Sequence, residues 1–513
     1  MTSHWTGQVA VLADPHLHDV AAGRAYGLVH EDCFRSLADT ASSTRVFNEG
    51  GAALVRALDI LVEHGVRLVM IAGDLTDDGQ PANWNAAASL LHKYTQKYGM
   101  RFFLTPGNHD QWYGDGKALK KGMVTRDGVI FAVAGDPSEP SAVHAPAMRQ
   151  VGQAEMLDYA RSFGFCRHDD DLYWETPFGV SDALADRIGT VTDSDGDPVL
   201  GPDLSYLVEP VEGLWILSVD ANVYLPGTDG WVDCGQQGWN AVLHHKAWLL
   251  DWMRDVAARA KAQGKQLLTM SHFPAIDVLN DVPGGLAQRV MPTHLTADAT
   301  TATGVGLHFS GHWHINRTGA RHFGKDWLVN VAIPSTASFP AAFKLVNLEQ
   351  TSARVETVQL GQVPGFDAGF AHYLAEQPDA TLPRCESYAD FLRDHLGELT
   401  GRRYLARDWP TEFGAYLEQE TLADILTQIG VNADSATTKI PARLAIDDYY
   451  FLERGGQLAE IPAERLSVYR ALDSAEPLKG GDSQRRLIMG LARYSQALPD
   501  DKFTVDLTNG SVT

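Results

Sequence analysis

Five short segments of this sequence carry side chains suited to divalent cations: Asp14-Pro15-His16, Gly73-Asp74, Gly107-Asn108-His109-Asp110, His272, and Gly311-His312-Trp313-His314. Carboxylate oxygens combined with imidazole nitrogens suit Mn, Fe, Zn or related ions better than a soft-metal site. In an extended tip, residues i and i+2 point to the same side. Asp14 and His16 can therefore converge on one ion, and His312 and His314 can face one cluster. Taken singly, each piece has an ordinary alternative. Asp74 could cap a helix, Asn108 could form a turn, and His272 could be a satisfied buried histidine. Those alternatives do not explain why successive strand ends carry compatible ligands.

The elements that must position these residues read as alternating strands and helices. Val9 to Ala13 is a short apolar run ending at Asp14, and Val66 to Ala72 is another ending at Gly73-Asp74. Between them Ala52 to His64 carries Leu54, Leu58, Leu61 and Val62 near one face, with Gly65 as a stop. Asn85 to Tyr98, closed by Gly99, and Arg101 to Thr105 repeat the pattern up to Asn108. Such alternation implies crossover connections and a partly parallel sheet, with ligands expected beyond the carboxyl ends of the strands. Leu214 to Val219, Gln266 to Met270, Gly306 to Phe309, Trp327 to Ala332 and Phe343 to Leu348 read as further strands, and Ala241 to Ala262 as one helix. The pattern blurs over 111–204, which reads as an insertion or cap, or as a solvated excursion without function. Beyond about Val363 the texture is helical, at Tyr388 to Leu399, Glu412 to Ile429 and Gln484 to Leu498. The expected organisation is a 1–362 catalytic-type domain including the 111–204 insertion, followed by a mainly helical 363–513 domain.

Composition narrows the function classes. The 513 residues include 44% hydrophobic residues, enough for a substantial core. Lys plus Arg number 42 against 65 Asp plus Glu, a net charge of −23 that disfavours long nucleic acid as a partner. Bound cations can still reverse the field within one cleft. Cys33, Cys166, Cys234 and Cys385 are too scattered for a zinc cluster and suit a reducing compartment, with one disulfide left open. The stretch Met1 to Gln8 lacks a basic-then-apolar leader, and no apolar run is long enough to span a bilayer. A cytoplasmic protein is expected.

The ordered set of motifs closely resembles the calcineurin-like metallophosphoesterase superfamily: Asp-x-His, Gly-Asp, Gly-Asn-His-Asp, His and Gly-His-x-His, covering roughly Val9 to Leu348. The resemblance implies an α/β fold, a four-layer αββα sandwich of two mixed sheets with the dimetal centre at one edge. It implies that Asp14, His16, Asp74 and His314 hold one metal, and that Asp74, Asn108, His272 and His312 hold the other. A bridging carboxylate such as Asp74 can hold two cations about 3.5–4 Å apart. The neutral amide of Asn108 and the imidazoles leave the site positive enough for phosphate. The resemblance also implies that His109 acts on substrate rather than metal, with Asp77 at the position that orients it. A capping or surface carboxylate is the alternative for Asp77. Asp110 is expected to support the metal loop, and Asn330 either shapes the rim or serves a turn. His18 is a candidate substrate contact, while Asp19, His30, His244, His245 and His308 stay outside the ligand set.

The expected reaction is hydrolysis of a phosphate ester by hydroxide generated at two divalent transition-metal ions, attacking phosphorus in line. The segments Gly73 to Gly79 and Gly107 to Asp110 resemble members acting on cyclic nucleotides or other phosphodiesters. A phosphomonoesterase or nucleotidase is the alternative, and a metal-dependent protein-binding scaffold is the nonenzymatic one. The expected partner is a small phosphate ester or phosphodiester, and the helical tail is a candidate homodimer contact.

Overall fold

A computed structural model describes residues 5–193, 195–227, 230–234, 238–284, 291–433, 436–472 and 483–513. The polar start at Met1 and Ser194 of the insertion lie outside them. The apolar runs form strands that are buried on both faces: β1 (Gly7–Leu12), β2 (Leu68–Ile71) and β3 (Arg101–Leu104). The crossover between β1 and β2 includes α1 (Gly50–Glu63), which buries Ala53, Leu54, Ala57, Leu58 and Leu61 at helical spacing. The crossover between β2 and β3 is α2 (Pro81–Tyr98), opened by a proline in its first turn and closed at Gly99.

Two mixed sheets follow. The remaining strands are β4 (Tyr173–Glu175), β5 (Tyr206–Val211), β6 (Leu214–Val219), β7 (Gln266–Ser271), β8 (Gly306–Ser310), β9 (Arg317–Phe323), β10 (Asp326–Ala332), β11 (Ala342–Leu348), β12 (Ser352–Gln359) and β13 (Lys502–Asp506). One sheet runs β13-β12-β11-β1-β2-β3 and the other β4-β5-β6-β7-β8-β10-β9. Strands β1, β2 and β3 are parallel to one another, as are β6, β7, β8 and β10. One buried apolar cluster draws on both sheets, with Val9, Val69 and Phe103 from the first and Ile216, Met270 and Phe309 from the second. The fold is mixed α/β with the two-sheet arrangement expected of a calcineurin-like protein.

Residues 111–204 are distributed over several parts of the molecule. Lys120–Val124, Ile130–Ala134 and Ala142–His144 form a small sheet with Phe34–Arg35. Met156, Leu157, Ala160, Phe163 and Phe165 belong to the central core, and β4 extends the second sheet. The expected helix over 241–262 is two helices, Trp239–His245 and Trp248–Gln263. The break falls at Lys246, whose buried ammonium turns inward to Asp203 Oδ2 at 2.5 Å and the Asp220 carbonyl at 2.8 Å. The helix expected over 412–429 also divides, because Thr421 starts a new helix with a reciprocal cap to Asp424. The C-terminal helices build a second core around Trp409, Tyr449, Tyr450 and Leu491, which includes Ile315 and Ala332 beside the metal-type loop. Strand β13 then returns to close the first sheet.

Candidate metal centre

The five ligand-bearing segments all leave the carboxyl ends of parallel strands: β1, β2 and β3 in one sheet, β7 and β8 in the other. Backbone hydrogen bonds stitch the tips together, from Asp14 N to the Gly73 carbonyl and His16 N to the Asp74 carbonyl, both 3.0 Å, and from Gly311 N to the His272 carbonyl at 2.9 Å. Asp14, His16, Asp74, His312 and His314 have φ of 50°, 46°, 50°, 69° and 51°. Left-handed backbone at non-glycine residues costs roughly 1 kcal/mol each and persists where surrounding structure enforces it. At Gly311 a Cβ would stand 2.4 Å from Asp14 Oδ2, so the loop approaches the carboxylate closely only without a side chain.

Two nests of donor atoms result. In the first, His314 Nε2 lies 3.0 Å from His16 Nε2 and 3.4 Å from Asp14 Oδ1, and His16 Nε2 is 3.8 Å from Asp74 Oδ2. In the second, His272 Nε2 is 3.1 Å from Asp74 Oδ2 and 3.0 Å from Asn108 Oδ1, and His312 Nδ1 is 3.0 Å from Asn108 Oδ1. Asp74 Oδ2 faces both. All seven sequence-nominated side chains, Asp14, His16, Asp74, Asn108, His272, His312 and His314, thus meet at one edge of the two sheets.

Their chemistry suits cations. Ring nitrogens of His16 and His314, and of His272 and His312, face each other at 3.0 and 3.3 Å with carboxylate and amide oxygens filling the gaps. Such a set can share protons between its rings and oxygens, or, with the rings neutral, close around a cation. Burial, followed by the Arg45 charge at His16 and the His272 charge at His312, pushes both histidines below the usual imidazole range, toward the neutral form that coordinates metal. At His272 burial is outweighed by the Asp74 carboxylate, which raises it to about 9. Burial would raise Asp74, but His272 and His109 hold it well below the carboxylate range.

His109 stands outside both nests. Its backbone N–H donates to Asp74 Oδ1 at 2.8 Å, and its side chain is 28% exposed. Its Nδ1 contacts the Asp78 carboxylate, with Arg45 Nη2 3.3 Å away. The partner of His109 is therefore Asp78, not the neighbouring Asp77 expected from the motif. Asp77 is fully buried, with Arg35 Nη1 on Oδ2 at 3.0 Å and Arg45 Nη2 on Oδ1 at 2.9 Å. Both carboxylates lie near the Arg45 guanidinium, Asp77 Oδ1 at 2.9 Å and Asp78 Oδ1 at 3.6 Å, but only Asp78 reaches the His109 ring. Asp78 is also held by the Lys121 ammonium from the small sheet within 111–204. Sequence reasoning missed Asp78, Arg45, Arg35 and Lys121; only the doubled aspartate at 77–78 hinted at the first.

Asp110 ties two ligand loops, accepting Thr76 N at 3.0 Å and Gly107 N at 3.1 Å. Asn330 is buried beneath the site, accepting from Ala275 N at 2.9 Å and donating to Ser310 Oγ at 3.0 Å. His308 contacts Asn330 Oδ1 and Ser271 Oγ in the same brace. His18 is buried against the Cys33 carbonyl at 2.7 Å, while His30 and His244 are exposed. None of the four cysteines is disulfide-bonded, and no helix among the described residues is long and apolar enough to cross a membrane.

Residues 7–175 match the calcineurin-like phosphoesterase family. The chain matches no curated protein. Among solved structures it is similar to a dimetal phosphatase from Danio rerio, at 12% identity over 69% of this chain and 96% of that one, with a TM-score of 0.33. A 5'-nucleotidase-type protein from Staphylococcus aureus, in complex with alpha-ketoglutarate, aligns at 11% identity over 67% of this chain and 51% of that one, TM-score 0.28. A protein from Thermus thermophilus aligns at 8% identity over 69% of this chain and all of that one, TM-score 0.29.

Proposed function

We propose that this chain, whose residues 7–175 match the calcineurin-like phosphoesterase family, is a metal-dependent phosphoric ester hydrolase that cleaves small phosphodiesters, cyclic nucleotides among them, at the Asp14–His314 cluster. The observation that carries this reading is the pair of donor nests sharing Asp74, with the partly exposed His109 at their rim. Asp14, His16, Asp74 and His314 would hold one divalent transition-metal ion, and Asp74, Asn108, His272 and His312 the second. Such a pair supplies Lewis acidity toward water and toward the phosphoryl oxygens. The chain's own part is positional. Asp78 fixes the His109 ring through Nδ1, which leaves Nε2 to deliver a proton to the departing oxygen. Asp110 locks the loops that bear Asp74 and Asn108, so the donors need no rearrangement as charge develops.

The phosphodiester preference rests on the Gly73–Gly79 and Gly107–Asp110 segments. A monoester reading is favoured by a different observation, the Arg45 guanidinium beside His109, since a dianionic monoester gains more from added positive charge. The test is a side-by-side panel with Mn²⁺-loaded protein, comparing kcat/KM for bis(p-nitrophenyl) phosphate and cyclic AMP with that for p-nitrophenyl phosphate and AMP. Higher values for the diesters support the proposal. Preference for the monoesters transfers it to the second reading, and no hydrolysis of any of them by protein holding two metals overturns both.

A further inference from the structure

The loop that carries His312 and His314 is anchored on its far side by the C-terminal helical region. Helix α3 (Ala442–Gly455) ends against the stretch that follows the loop. The last four carbonyls of an α-helix have no partner within the helix. Here each of them accepts from this one stretch: Leu452 O, which also takes the Gly456 cap N–H, and Glu453 O from the Arg317 guanidinium, Arg454 O from Asn316 N at 2.7 Å, and Gly455 O from Asn316 Nδ2 at 3.2 Å. The guanidinium also sits at the negative end of the helix dipole. In return, the Arg454 side chain donates to the Trp313 carbonyl, between the two histidines. Asn316 is further held by Asp500 Oδ1 at 3.2 Å and by the buried Lys344 ammonium at 2.5 Å. Behind the helix end, Gly456 has φ +56°, and a Cβ there would stand 2.7 Å from the Asn316 carbonyl and 2.0 Å from Asp500 Oδ2.

The left-handed conformations of His312 and His314 need enforcement from both sides. Asp14 supplies one side, accepting His312 N at 3.0 Å. The α3 end supplies the other. We infer that Arg454, Asn316 and Arg317 are positioning residues for the metal centre, so that the C-terminal region is part of the ligand cage and metal loading and α3 docking stabilise each other. This rests on the reading of the cluster as a dimetal site. By linkage, whatever favours the docked helix favours metal binding, and the reverse.

The probe is Mn²⁺ added to the full-length, metal-stripped protein, with affinity read by calorimetry and stoichiometry by elemental analysis. Arg454→Met and Gly456→Ala are expected to weaken Mn²⁺ binding about tenfold or more, as loss of a charge-assisted hydrogen bond would. Arg454→Lys should recover part of it. Arg384→Met, which removes donors to the Ala380 and Pro378 carbonyls in the same region but away from α3, should lower thermal stability without changing Mn²⁺ affinity. Wild-type Mn²⁺ affinity in folded Arg454→Met and Gly456→Ala, or equal weakening by Arg384→Met, overturns the inference. Should those variants not fold, amide exchange on the wild-type protein decides: Mn²⁺ is expected to slow exchange over 442–456, and unchanged exchange there overturns the clamp. Failure of the wild-type protein itself to bind two Mn²⁺ would instead remove the metal reading on which it stands.

Discussion

At the scale of single residues, the pair Asp77–Asp78 separates two functions that the motif alone merges. Asp78 touches His109, whereas Asp77 neutralises Arg35 and Arg45 in the interior. Asp78→Asn should lower kcat on the order of ten- to a hundredfold with both metals retained, the range of a misplaced general acid. Asp77→Ala should instead remove the buried carboxylate shared by Arg35 and Arg45 and cost about 3 kcal/mol of stability in urea unfolding. Normal turnover in metal-loaded Asp78→Asn, with turnover lost in a stable Asp77→Asn, would return the orienting role to Asp77. Asp74 faces both nests, so Asp74→Ala should bind fewer than two metals per chain by elemental analysis. A full complement of two would show that it bridges nothing.

At the scale of elements, two imidazoles lock secondary structure to its neighbours as neutral groups. His308 on β8 braces Asn330 and Ser271, and His395 on the Tyr388–Leu399 helix reaches the Thr40 carbonyl at 2.8 Å. Burial lowers each to about 4, opposed at His308 by the Asn330 side chain and at His395 by the Thr40 carbonyl. An unfolded histidine takes up its proton near pH 6.5, so the unfolded chain binds protons first as pH falls. Each group's stabilisation is therefore complete above about pH 6.5 and drains away as pH falls toward 4. Between pH 7 and 5 each should cost about 2 kcal/mol. His395→Gln keeps a donor for Thr40 and cannot take up a proton there. Its stability loss over that interval, measured by urea unfolding in chelator, should be smaller than that of the wild type by about 2 kcal/mol. Equal losses in the two proteins would mean that His395 does not enter the folded state uncharged.

At the scale of the whole molecule, the chain closes on itself. Strand β13 pairs with β12 from residue 352 to 356, and its Phe503 and Val505 are buried in the main core. Deletion of 502–513 should therefore expose both side chains and leave the β12 edge unpaired. Loss of that burial alone costs roughly 3–6 kcal/mol, and an open strand edge invites association between copies. Lower thermal stability with concentration-dependent aggregation is expected by scanning calorimetry and light scattering. A monomeric deletion variant with the wild-type melting temperature would show that the first sheet is complete without its last strand.

The sequence by itself determined which strand ends bear the donor side chains, because ligand chemistry is a matter of residue type and the i, i+2 spacing at an extended tip is local. It also determined β1, α1, β2, α2 and β3 to within a few residues, since buried apolar runs and glycine stops are local signals. Only the tertiary structure decided which of two adjacent aspartates meets His109, because that depends on the rotation of one loop against Arg35, Arg45 and Lys121, residues up to eighty-odd positions apart. It likewise decided that 111–204 contributes to the small sheet, the main core and β4, and that the helical tail grips the Gly311–His314 loop. Those contacts join helix-end carbonyls to side chains more than a hundred residues away, and carbonyls leave no trace in a sequence.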